Sequence, residues 1–339
     1  MSRIYIYPKN DYNTLDVPNP YVLHVEENLQ KKHTLVNEKP NNKGVVELFQ
    51  FLPKTDVYFF NWIEDIATKR FGLMQYLLFP AFLLLAGMLG KKIVWVMHNW
   101  YSHQKRNRRL TSKSFDRMVR YSNLIITHSQ RGVELVREKF PAHAHKVKYI
   151  VHPVEELFSI AGEKPVKKFD FLIWGTIFPY KRVLEFLDFV KKNPKLGKAK
   201  IRITGVCIPE WQKAEIEKHV NSNISYIDGF LDLKDIARMA NQSEYVLFTY
   251  NDPSVLSSGS LMDSIRMGAK IIGPDSGAFR DLKQYSFMET FNSYDDIVDI
   301  FEGNRMFKLT NFDETVTFCE QNSWKLFGDK LFKVSDGIL

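Results

Sequence analysis

The 339-residue chain is short of cysteine. It has two, Cys207 and Cys319, and their distance apart argues against a disulfide framework. A reducing compartment is the natural reading. No CxxC pair and no His/Cys cluster offers a zinc site. Glycine (17) and proline (14) are sparse, and 45% of residues are hydrophobic against 25% charged, so global disorder is excluded. Short-period repeats and low-complexity segments are missing too. The opening MSRIYIYPKN lacks a sustained apolar region and cleavage-type small residues. It reads as a first strand, Arg3 to Tyr7, and not as a secretory signal.

Acidic residues are outnumbered, 39 against 47 Lys and Arg, giving a net charge of +8. Such a balance favours anionic partners: nucleic acid, phosphorylated ligands or an acidic membrane face. It does not choose among them. The one apolar run approaching membrane-spanning length is FGLMQYLLFPAFLLLAGMLGKK, Phe71 to Lys92. Gln75, Pro80 and Gly87 interrupt it, and the strand-like KIVWVMH follows at once. It reads as a crossover helix, buried or lying at the surface. A membrane-inserted helix is the other reading.

Strand-like runs alternate with helical stretches along most of the chain. The runs are RIYIY, DVYFFNW, KIVWVMH and NLIITHS, then KFDFLIWG, KIRITGV, ISYIDG, EYVLFTY and KIIGPD. This alternation predicts parallel sheets with helices on both faces. It runs twice, with a break over Val151 to Lys168. The expected fold class is α/β, with two Rossmann-like, doubly wound parallel-sheet domains over residues 1–155 and 165–322. Ligands bind beyond the carboxyl ends of strands in such sheets, so the two are expected to face each other across a cleft. Residues 323–339 are expected to form a helix, with Trp324, Phe327, Leu331 and Val334 on one side, able to pack back toward the first domain.

Two segments carry the chemistry. SSGSLMDSIRMG, Ser257 to Gly268, opens a helix with small residues. These let a ligand approach the backbone. The helix N-terminus adds unpaired N–H groups and partial positive charge. Together they suit an anion, most often phosphate. Asp263, one turn in, could accept hydrogen bonds from sugar hydroxyls. An ordinary N-cap by Ser257 or Ser258 is the alternative. FLIWGTIFPYKR, Phe171 to Arg182, is a strand, a glycine, a short loop, then Lys181 and Arg182 opening a helix. Cations there oppose the helix dipole. A bound diphosphate would explain them; solvated surface charges are the alternative.

In this order the segments resemble the C-terminal half of GT-B glycosyltransferases, family 4-like, of the bacterial exopolysaccharide and capsule type. The likeness covers SSGSLMDSIRMGAKIIGPDSGAFRDL, Ser257 to Leu282, and continues upstream in NPYVLHVEENL, DVYFFNWIE and VWVMHNWYSH. It implies a GT-B fold and sugar transfer from a UDP- or GDP-linked donor to a glycan or lipid-linked oligosaccharide. It implies no obligatory cofactor and no metal. The implied place is the cytoplasm, with the inner face of the cell membrane as a variant, and nucleic acid is not an expected partner. Lys181, with Arg182 as helper, would neutralise the donor diphosphate beside Gly175 and Thr176. The N–H groups of Gly259, Ser260 and Leu261, after Ser258, would join them. Asp263 would hold the ribose, and the loop with Gly229 and Phe230 would meet the base. His98 would reach the transferred sugar; a satisfied histidine at a strand end is the bland alternative. Asn99, Trp100 and His103 would line the acceptor side.

Two positions depart from the family pattern. It has two glutamates eight positions apart; Asp263 matches the second, and Val255 stands at the first. Thr176 stands where an arginine often follows the glycine. A retaining reaction needs no protein nucleophile, whereas inversion needs a general base, with His98 first and Glu64 second. Asp295 and Asp296, beside a helix start, read as a solvated face. The segment 103–120 holds seven Lys/Arg against one acid. It could meet an anionic membrane or be a solvated basic face. The competing function classes are a non-catalytic sugar-nucleotide binder on the same fold and a basic nucleic-acid-binding protein.

Overall fold

The computed structural model describes residues 1–10, 19–100, 108–158, 166–250, 255–309, 311–335 and 337–339. The chain divides into two compact units. Unit 1 is Met1–Pro153 with Ser254–Ser257 and Trp324–Leu339; unit 2 is Val154–Pro253 with Ser258–Ser323.

Unit 1 runs β1 (Arg3–Tyr7), α1 (Pro20–Gln30), β2 (Thr34–Leu35), α2 (Val45–Phe51), β3 (Val57–Asn61), α3 (Gly72–Met88), β4 (Lys92–Met97), α4 (Arg108–Tyr121), β5 (Leu124–Thr127), α5 (Gln130–Lys139) and β6 (Val147–Tyr149). Its strands lie in the order β2-β1-β3-β4-β5-β6, all parallel. All five residues of β3, VYFFN, are buried. A parallel sheet covered on both faces reads as such a continuous apolar run. One face, with Tyr58, Phe60 and Trp95, packs against Phe79 and Phe82 of α3 and Phe115 of α4. The other, with Ile4, Phe59 and Val94, packs against Val25 and Leu29 of α1.

Unit 2 repeats the design. It runs β7 (Phe169–Trp174), α6 (Val183–Lys192), β8 (Ile201–Thr204), α7 (Trp211–Glu217), β9 (Ile224–Ile227), α8 (Leu233–Asn241), β10 (Ser243–Leu247), α9 (Gly259–Arg266), β11 (Ile271–Pro274), α10 (Gly277–Asp281), β12 (Met288–Phe291), α11 (Tyr294–Phe301) and α12 (Phe312–Gln321). The parallel order is β12-β11-β10-β7-β8-β9. The last helix, α13 (Trp324–Val334), belongs to unit 1. Phe327 and Leu331 join the core against α1, and the Trp324 ring lies 4.8 Å from that of His24.

The apolar run over 71–92 becomes α3, the crossover between β3 and β4. Gln75, Tyr76, Phe79, Phe82, Leu83 and Ala86 form its buried face. Among the described residues no helix is long and apolar enough to cross a membrane. Pro80 sits mid-helix. Proline has no N–H, so the carbonyl four residues earlier, Tyr76 O, loses its helical donor. Arg117 Nη1 from α4 supplies one at 3.1 Å, while Nη2 donates to the Tyr76 hydroxyl at 3.0 Å.

Candidate functional site

In unit 2 the carboxyl end of β7 meets the start of α9. β7 stops at Trp174, and Gly175 turns the chain with φ 95°. A Cβ on Gly175 would lie 3.2 Å from Ser260 Oγ and 3.6 Å from Lys181 Nζ. The neighbouring strand also ends in glycine. A Cβ on Gly205, φ 139°, would sit 2.1 Å from Gly175 O, so only glycine fits that close backbone approach. Trp174 Nε1 donates to Ser264 Oγ at 3.0 Å, and Ser264 Oγ donates to Ser260 O at 2.8 Å. This chain of bonds fastens α9 to β7, and with it the position of the helix start.

Lys181 does not open a helix as the sequence suggested. It closes a 3-10 turn, Pro179–Lys181, and α6 begins at Val183. Pro179 starts the tighter turn, and Arg182, at φ 54° and ψ 32°, reverses the chain before α6. A non-glycine residue in this left-handed region costs roughly 1–2 kcal/mol. The Lys181 carbonyl is held by Thr249 Oγ1 at 2.5 Å. The Lys181 side chain is 7% exposed, and its ammonium lies 5.4 Å from the centre of the Tyr250 ring. Burial lowers its pKa, with a small opposing contribution from Tyr180. Among the described residues no carboxylate pairs with it. Arg182 is half-exposed and 3.7 Å from Glu185. Thr176 is half-buried beside Gly175.

At the start of α9, Ser258 is the N-cap, and its hydroxyl accepts from Leu261 N–H at 3.4 Å. The Leu261 N–H also points at Ser258 O, 3.2 Å away. The expectation that Leu261 offers its amide to a ligand is therefore corrected: the cap already occupies it. The Gly259 and Ser260 amides have no acceptor among the described residues. Asp263 faces Arg266, whose Nε donates to Oδ1 at 2.8 Å. Burial raises the Asp263 pKa, and Arg266 opposes the rise. After β9, Gly229 has φ 113° with open space around it, and Phe230 is 83% exposed.

In unit 1 the corresponding strand ends carry rings. His98, one residue beyond β4, is 4% exposed. Its ring stacks on Trp62 at 4.1 Å and meets the edge of Tyr21 at 4.8 Å. Nε2 lies 3.2 Å from Asn61 Oδ1. His128 and His152 complete the cluster; His128 Nε2 is 2.8 Å from the Tyr21 hydroxyl. Burial, then the neighbouring histidines, push His98 well below the ordinary imidazole range. It is neutral at pH 7, a hydrogen-bonding group and a weak base. Glu64 is buried, and its Oε2 accepts from Trp95 Nε1 at 3.1 Å. Burial, then Asp65, raise its pKa.

Asn99 bridges Val255 in antiparallel fashion. Val255 is buried, and Leu256 enters the unit 1 core. Trp100 lies under Lys139 Nζ at 4.0 Å. His103, and with it residues 101–107, lies outside the described residues. Asp296 caps α11, accepting from the N–H groups of Asn292 and Ser293 at 2.7 and 3.1 Å. Among the described residues no group of three His, Cys, Asp or Glu could hold a metal ion. Gly205, Thr249, Tyr250 and Ser264 escaped sequence reasoning. Only Gly205, the glycine closing KIRITG as Gly175 closes FLIWG, left a signal.

No protein-family model matches the chain, and no curated protein sequence matches it. Solved structures do match. The Anabaena protein HepE in complex with UDP aligns over 99% of this chain and 100% of its own, at 11% identity and a TM-score of 0.66. The apo form of WaaB, a lipopolysaccharide outer core galactosyltransferase, aligns over the whole of both chains at 12% identity and 0.64. A glycosyltransferase from Rickettsia africae aligns over 99% of this chain and 98% of its own at 12% and 0.60. With two six-stranded parallel sheets flanked by helices, the chain has the two-domain α/β GT-B fold.

Proposed function

We propose that the chain is a glycosyltransferase that takes a sugar from a nucleoside-diphosphate donor held in unit 2. The observation that carries this reading is Lys181: a buried ammonium without a carboxylate, beside a glycine and two unclaimed amides at a helix start. A buried cation is costly unless something of opposite charge completes it, and a diphosphate has the right charge and size. HepE has been crystallised with UDP and with UDP-glucose, which supports a UDP-linked donor ahead of a GDP-linked one.

In this reading the sugar–phosphate bond breaks as negative charge builds on the leaving diphosphate. Preorganised donors aimed at that charge lower the barrier. Lys181 Nζ and the Gly259 and Ser260 N–H groups are those donors, with Arg182 and the Thr176 backbone nearby. Asp263 holds the ribose through the carboxylate oxygen that Arg266 leaves open. Gly229 and Phe230 meet the base. In unit 1, neutral His98 hydrogen-bonds the sugar, while Asn99 and Trp100 receive the acceptor. Retention of configuration, which needs no protein nucleophile, is the proposed outcome. The acceptor is a glycan or lipid-linked oligosaccharide of surface polysaccharide, on the cytoplasmic side.

Thermal-shift titration with UDP, GDP and CDP tests the reading. One nucleotide should raise the melting temperature by mass action, and Lys181→Ala should reduce its affinity about 10- to 100-fold, the worth of a charge-assisted contact. No shift with any nucleoside diphosphate would overturn it.

A further inference from the structure

The outer face of α3 is bare hydrocarbon. From Gly72 to Met88 the helix has no charged residue, and its one amide, Gln75, is buried with Nε2 donating to Arg70 O. While one face enters the core, Leu73, Met74, Leu77, Leu84, Leu85 and Met88 are exposed, Leu77 at 64% and Met88 at 83%. The spacing 73, 77, 84, 88 with Ala81 between makes one stripe along the helix. Seventeen residues give a stripe about 25 Å long. A groove of about 900 Å³ lies at its start, walled by Phe71, Leu73, Met74 and Leu77, with Lys69 and Arg70 beside them. Contiguous exposed apolar surface of this size marks an interaction face.

The charge around the stripe selects the partner. Between Asp65 and Asp116 there is no acidic residue, yet the same stretch has nine Lys and Arg. Lys69 and Arg70 precede the helix and Lys91 and Lys92 follow it. Exposed Arg109 and Lys113 lie on α4, which packs against α3 through Arg117. Apolar stripe and cationic ends together match a bilayer with anionic headgroups: leucines enter the acyl boundary while lysines and arginines stay at the phosphates. Nucleic acid would leave the stripe wet.

We infer that α3 is a monotopic membrane anchor, lying in the interface of an anionic bilayer by the stripe from Leu73 to Met88. It cannot span, because Phe79, Phe82 and Leu83 would have to leave the core. This places membrane contact on an apolar helix face and not on the basic segment 103–120 alone. It stands independently of the donor site in unit 2.

The test is flotation of the full chain, without nucleotide, with vesicles of phosphatidylcholine or of phosphatidylcholine and phosphatidylglycerol. The wild type should float with the anionic vesicles, less in high salt but still detectably. Leu77→Glu with Leu84→Glu should weaken binding at least tenfold with the melting temperature unchanged, both sites being exposed. Leu77→Asn with Leu84→Asn repeats the test should the charged pair fail to fold. Lys69→Gln with Arg70→Gln and Lys92→Gln should remove the preference for anionic lipid. Three results would overturn the proposal: no flotation of wild type, equal flotation of wild type and folded leucine variants, or a wild-type dimer that ignores vesicles and is dispersed by the leucine changes. UDP binding should survive every variant, which separates this proposal from the donor reading.

Discussion

The two units each build a six-stranded parallel sheet, in different strand orders, and finish it differently. At the strand ends of unit 1, His98 is enclosed by Trp62, Tyr21, His128 and His152. At those of unit 2, Lys181 is as deeply buried but looks toward glycine, Ser260 and the open start of α9. Burial depresses both bases. In unit 1 the protein itself fills the surroundings with rings; in unit 2 it leaves the ammonium beside Gly175 and the start of α9. Two similarly buried bases thus have different surroundings.

The contrast should be sharpest in acid. Burial holds His152 down to about 4 and His128 to about 3. A histidine whose folded value lies below its unfolded one stabilises the fold above about pH 6.5, and that contribution fades as pH falls toward the folded values. For His152 the gap corresponds to roughly 3 kcal/mol, and sharing one pocket makes the three less than additive. Urea unfolding at pH 7.5 and pH 5 should show a loss of this order in wild type and a smaller loss in His128→Gln with His152→Gln. Equal loss in both would take the histidines out of the argument.

Next in size is Gly205→Ala. Its Cβ would strike Gly175 O, so unfolding should cost about 2–3 kcal/mol less, and nucleotide binding should weaken with the displaced Gly175 turn. A variant as stable as wild type would mean that the two strand ends separate freely. The smallest effect has the opposite sign. Lys181→Met removes an unpaired buried charge and should stabilise the unliganded protein by about 1 kcal/mol, readable by calorimetry, while weakening nucleotide binding as Lys181→Ala does. The matching replacement His98→Ala should destabilise, because it opens a cavity among rings. If both variants lost stability alike, the distinction between packed and open burial would fail.

The α/β alternation was legible because parallel strands covered on both faces must be apolar throughout, as in VYFFN. The shortest elements, β2 and β6, were not, since two or three residues have no periodicity. Lys181 and Ser258 stood out through helix-start chemistry. The cap's claim on the Leu261 amide did not, because a serine before a helix reads the same whether its hydroxyl faces a ligand or its own backbone. Thr249 and Tyr250 looked like any strand end. The apolar run at 71–92 showed its composition but not its orientation: one buried face and one exposed stripe have no sequence signature when both faces are hydrophobic.

The position of α13 has a consequence for biosynthesis. Unit 1 is completed only by a helix that follows unit 2 in the chain, since Phe327 and Leu331 complete the core around Val25 and Leu29. Segment 254–257 likewise arrives after the whole sheet of unit 1 has been translated. The growing chain must carry an unfinished apolar face through the synthesis of the whole of unit 2. A chain terminated at residue 323 would have every strand of both sheets and still expose the α1 side of unit 1, a form fit for chaperone capture or degradation.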